Sequence, residues 1–124
     1  MIRGIVLGLI GVVFSSIITG AQPALPATEL AGIVGIWEGS LTTRGQTYPI
    51  TLTIDDNGTW ESRVPGVGAG RFTGTVRRAD DGKFRYRTNE NGITGTYTLR
   101  ERDGKRVLEL LNDPHTTSAT MTPK

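Results

Sequence analysis

The only histidine of the chain, His115, stands next to Pro114 and close to Asp113. An imidazole beside a carboxylate is half of an acid–base relay, but acyl transfer also needs a nucleophile and an oxyanion site. Ser40, Ser62 and Ser118 lack a nucleophile-elbow context, and Asn112-Asp113-Pro114-His115 reads as a turn. Asp55-Asp56 and Asp80-Asp81 also fall in turn signals, where carboxylates bond nearby backbone. Neither turn has the spacing that brings six or more oxygens onto calcium. Without cysteine there is no thiolate nucleophile, no disulfide framework and no mixed His and Cys zinc set. Glu38 and Glu61 fall in strands on the face opposite the aromatics, so they are not read as a glycosidase pair. The Gly-rich run Pro65 to Gly70 precedes a strand and has no Lys-Ser/Thr and no helix, so it does not cradle phosphate. It reads as a mobile loop at a barrel mouth. The expectation is no enzyme, no catalytic residue, no metal and no cofactor.

Two other sets carry chemistry. Trp37, Tyr48, Trp60, Phe72, Phe84, Tyr86 and Tyr97 all point one way if their segments are strands. They either line a ligand cavity or fill a small barrel. Arg63, Arg71, Arg77, Arg85, Arg87 and Arg100 point the other way. They form either a patch for an anionic surface or a solvated exterior whose Arg stems cover apolar area.

The elements that position both sets follow a period of two. Gly35 to Leu41 opens the first strand. Tyr48, Ile50, Leu52 and Ile54 alternate with polar residues, as do Trp60, Ser62 and Val64. Phe72, Gly74 and Val76, then Phe84 and Tyr86, then Ile93, Gly95, Tyr97 and Leu99 continue the inward face. Alternation blurs between Arg106 and Leu111, and Thr116 to Met121 is the last strand. Turn signals separate all of them, with Asp55-Asp56-Asn57-Gly58 read as a hairpin turn in which Asn-Gly tolerates the positive φ required. Gly74 and Gly95 lie inside strands, where they permit a sharp bend or a close approach and leave room beside Tyr97. Phe72-Thr73-Gly74-Thr75-Val76 is echoed by Ile93-Thr94-Gly95-Thr96-Tyr97, a convergence of hairpins under one constraint. The fold expected is all-β: one small antiparallel up-and-down barrel of about eight strands over residues 35–124, whose closure removes exposed edges.

Residues 1–21 read as a signal peptide, with Arg3 as the positive region, an apolar run from Ile5 to Ile18 and small residues at Thr19-Gly20-Ala21. Cleavage follows Ala21, or alternatively Ala24 or Ala27. No integral membrane anchor is expected after cleavage, and no cysteine is present for acylation. Residues 22–34 form a linker with a short helical turn at Thr28-Glu29-Leu30-Ala31, broken by Gly32. The 14 Lys and Arg against 12 Asp and Glu are too even for a nucleic-acid partner.

Gly35-Ile36-Trp37 resembles the G-x-W signature that opens the first strand of lipocalins and related calycin barrels. That resemblance implies a helical turn at the barrel base, where Thr28 to Ala31 stand, and a late Arg across the Trp, for which Arg100 and Arg106 are available. Ala27-Thr28-Glu29-Leu30-Ala31-Gly32 is similar to the approach to the first Trp in small periplasmic protease inhibitors of calycin-like fold. The signal peptide implies a secreted or periplasmic protein, and the first likeness implies a small apolar or amphipathic ligand in or at the mouth of the barrel. The second implies an inhibitor or interaction protein acting on an envelope protein through residues 22–27.

Overall fold

The computed structural model describes residues 29–79 and 83–124. The signal peptide, the arm at 22–27, Thr28 and the Asp80-Asp81-Gly82 turn lie outside the described residues.

Alternating side chains make eight antiparallel strands: β1 Gly35–Thr43, β2 Gln46–Ile54, β3 Thr59–Arg63, β4 Arg71–Arg78, β5 Lys83–Thr88, β6 Thr94–Arg102, β7 Lys105–Asn112 and β8 Thr117–Pro123. Each pairs with the next, and β1 also pairs with β8, from Trp37↔Pro123 to Thr43↔Thr117. The barrel is closed and up-and-down, so no described strand presents an unpaired edge.

One end is plugged. A 3-10 turn, Leu30–Ile33, precedes β1 and brings the fully buried Ile33 against the barrel. Gly32 does not break this turn as the sequence suggests. It is buried inside it, and its carbonyl accepts a bond from Arg106. Trp37 donates from Nε1 to the Ile33 carbonyl at 2.9 Å, tying turn to strand. The Arg106 guanidinium lies 5.3 Å from the centre of the Trp37 ring. Of the two arginines expected near Trp37, Arg106 takes the place, while Arg100 stays outside against Glu109 at 2.6 Å. Phe84, Leu108, Ile54 and Met121 complete the apolar base.

The glycines inside β4 and β6 work by close approach. A methyl on Gly74 would lie 2.5 Å from the Trp60 ring, and one on Gly95 would lie 2.5 Å from the Tyr86 ring. The room the sequence suggests beside Tyr97 is therefore already taken by those two rings. The Asp55-Asp56-Asn57-Gly58 turn stands where the sequence puts it, and only its backbone at Asn57 differs from expectation. Four residues, Asp55 to Gly58, link β2 to β3, and only Gly58 has positive φ, at 84°. Asn57 instead uses its side-chain oxygen, which accepts from Thr59 N at 3.1 Å and Thr59 Oγ1 at 2.7 Å. In β7 the blurred alternation resolves into Leu108, Leu110 and Asn112 inward, with Leu111 exposed outside.

Candidate functional site

The end opposite the plug is open, because four loops gather there: Arg44-Gly45, Pro65 to Gly70, Asn89 to Ile93 and Asp113 to Thr116. Between them lies a cavity of about 420 Å³ that runs down into the barrel. Leu41, Ile50, Leu52, Val64 and Leu110 supply its apolar wall. Arg44, Val67, Gly68, Asn91 and Ile93 stand around its mouth. A volume in this range suits a small organic ligand.

Of the seven inward aromatics, Tyr48, Trp60, Phe72, Tyr86 and Tyr97 line this cavity. Trp37 and Phe84 do not. They are buried in the apolar plug, so they fill the barrel instead of lining the cavity. The correction has a simple cause: alternation places a residue inside the barrel but says nothing of depth along its axis.

Three rings form a continuous shelf. Tyr86 and Tyr97 stack with centroids 4.7 Å apart and planes 19° from parallel, and Trp60 meets Tyr86 edge-on at 5.9 Å. Trp60 is held by its Nε1 bond to the Thr75 carbonyl at 3.0 Å, and the glycine opposite each of Trp60 and Tyr86 lets that ring lie against the wall. Burial, and then the negative charge of Asp113, pushes the Tyr86 phenol up to about 12. Burial, with Tyr86 adding, pushes Tyr97 well above the usual phenol range. Both hydroxyls stay neutral at ordinary pH and can donate or accept a hydrogen bond.

Polar groups that periodicity did not single out as a site also face the cavity. Ser62, Thr88 and Asn112 are buried and line it. Asn112 shapes the last mouth loop, donating from its amide nitrogen to Thr116 Oγ1 at 2.9 Å and accepting from Thr116 N and Thr117 N. Ser62, Thr88, Tyr86 and Tyr97 have no side-chain hydrogen bond to another described residue. Their legible signal was polarity at an inward register position, which marks a buried group that needs a partner.

No protein-family model, curated protein or solved structure matches the chain.

The Gly-rich segment is not an open loop. Val64 N bonds Gly70 O at 2.9 Å, Val67 N bonds Val64 O at 3.1 Å and Gly70 N bonds Val67 O at 2.8 Å. These bonds fold it back so that Gly66 lies over Tyr48, Gly68 lies near Phe72, and the half-buried Val67 packs against the core.

The six outward arginines do not form one patch. Arg63 and Arg71 converge on Glu61 at 3.0 and 2.7 Å, and the Arg71 bond is the main cause holding the Glu61 carboxyl below its usual range. Arg85 forks onto Asp113 at 2.9 and 2.6 Å. Arg100 shares Glu109 with Arg102. Arg77 and Arg87 are left without an ion pair to a described residue. Four of the six expected patch residues are thus held in ion pairs on a solvated wall, where such pairs contribute little each. His115 sits in the last mouth loop with φ 61°, exposed, and does not line the cavity.

Proposed function

We propose that this protein is a non-catalytic extracytoplasmic binding protein that takes a small apolar or amphipathic molecule into the open end of its barrel. The observation that carries this reading is the cavity of about 420 Å³, lined by the Trp60–Tyr86–Tyr97 shelf and reached from the loop end. Flat rings against glycine walls offer a rigid apolar surface that costs little entropy to order. Buried hydroxyls beside them provide the few polar contacts that orient a ligand. The likeness of Gly35-Ile36-Trp37 to calycin barrels supports the same reading, and so does the placing of Arg106 across Trp37. The N-terminal segment read as a signal peptide supports delivery to the periplasm or the exterior.

The two tryptophans make the test internal. Trp60 lines the cavity and Trp37 is buried in the plug. Titration with fatty acids, sterols and quinones should change tryptophan emission saturably. The change should persist in Trp37→Phe and vanish in Trp60→Phe, with binding by calorimetry retained in both. No saturable binding across the panel by either method would overturn the proposal.

A further inference from the structure

We infer that the cavity selects an amphiphile with a single carboxylate head, which Arg44 receives at the mouth while the apolar body lies on the aromatic shelf. This rests on the binding reading above and narrows it to one ligand class.

The first observation is a contrast between two hairpins. Arg44-Gly45 turns the chain between the paired residues Thr43 and Gln46, and Asp103-Gly104 turns it between Arg102 and Lys105. Both are two-residue turns with positive φ at both central positions: 53° and 75° at the first, 53° and 76° at the second. Such turns favour Asn, Asp or Gly at the first position, because Cβ crowds the following carbonyl there; Gly has no Cβ, and the short polar side chains of Asn and Asp offset the clash by bonding locally. The turn at the plugged end carries the favoured Asp-Gly. The turn at the open end places an arginine in the same strained conformation, and strain held at a ligand mouth marks a residue retained for something besides stability.

The second observation is electrostatic. Among the described residues Arg44 is the only charged side chain lining the cavity, and no described carboxylate lines it. Unlike Arg63, Arg71, Arg85, Arg100 and Arg102, it has no carboxylate partner among the described residues. A guanidinium receives a carboxylate through two parallel bonds, which matches one head group at the rim. The third observation lies deeper. The hydroxyl-bearing Ser62, Tyr86, Thr88 and Tyr97, each more than nine-tenths buried, line the cavity without a side-chain bond to the described residues. Beneath them the plug closes the barrel, so a ligand enters from the loop end and its charged end stays beside Arg44.

Decanoate, decanol and decylamine share one body and differ in the head, so their calorimetric affinities for the full mature protein decide the matter. Decanoate should bind about tenfold more tightly than decanol, the scale of one charge-assisted contact, with decylamine weakest. Arg44→Asn restores favoured turn chemistry and should fold at least as well as the parent, while Arg44→Lys keeps the charge without the fork. The preference for decanoate over decanol should vanish in Arg44→Asn and shrink in Arg44→Lys, with decanol affinity little changed in either. Equal binding of decanoate and decanol, or a preference that survives Arg44→Asn, overturns the role of Arg44 and leaves the cavity reading standing. Absence of binding by all three overturns both.

Discussion

The Arg106 guanidinium lies over the Trp37 ring, 5.3 Å from its centre, and also donates to the Gly32 carbonyl. One side chain of β7 thereby joins the first strand and the 3-10 turn that plugs the barrel. The contact spans 74 residues of sequence, from Gly32 to Arg106.

Trp37→Ala should cost about 3–5 kcal/mol, since the ring is 2 % exposed and its removal leaves a cavity in the plug. Arg106→Ala should cost about 1–3 kcal/mol, from the cation–π contact and the charged hydrogen bond together. Because the two residues touch, the double variant should lose less than the sum of the single losses. Urea unfolding of the four proteins checks this, and strict additivity would show that the pair is not energetically coupled.

Gly95→Ala and Gly74→Ala test the glycine walls. Each new methyl meets an aromatic ring at 2.5 Å and also a backbone carbonyl, that of Leu111 for Gly95 and that of Arg87 for Gly74. Overpacking of this kind should cost about 1–3 kcal/mol. Near-ultraviolet circular dichroism should change with the moved Tyr86 or Trp60 ring. An unchanged spectrum with unchanged stability would mean that the rings are not held against these positions.

The buried phenols make stability fall in alkali. Tyr86 is raised to about 12, mainly by burial, and burial also holds Tyr97 well above the usual phenol range. An unfolded tyrosine ionises near pH 10, so the unfolded chain gives up these protons first. Stability is therefore full below about pH 10 and declines as pH rises toward 12. Tyr97→Phe should flatten that decline, and near pH 7 it should be close to neutral because the hydroxyl has no described partner. Urea midpoints between pH 8 and about 11.5 distinguish the two slopes.

In acid Asp113 is one of the sensitive carboxyls, with Glu61 and Glu90. Its hydrogen bond from Arg85, and then the 2.5 Å bond from Thr94 Oγ1, hold the carboxyl down at about 2. A depressed carboxyl stabilises above its unfolded pKa, near 4, and that contribution is lost as pH falls through about 2. Asp113→Asn should weaken the protein at pH 7 and show a shallower loss between about pH 4 and 2. Parallel slopes for the two proteins would remove Asp113 from the acid transition.

Period-two alternation was enough to read an all-β barrel of eight strands from the sequence. In a closed antiparallel barrel every other residue must face an apolar interior, and turn residues must punctuate the strands. The inward register of the seven aromatics was legible for the same reason. Depth was not, since alternation turns both Trp37 and Trp60 inward and they differ in position along the axis, one in the plug and one beside the cavity. Nor could charge pairing be read: Arg85 meets Asp113, 28 residues away, only because β5, β6 and the end of β7 lie side by side. Gly74 and Gly95 were legible as sites of close approach, but not which rings would use them. That depended on cross-strand register, which sets Trp60 opposite Gly74 and Tyr86 opposite Gly95. The strand pattern is local, and a sequence displays it directly. The cavity is the volume left when non-local side chains have met, so only the tertiary structure could show it.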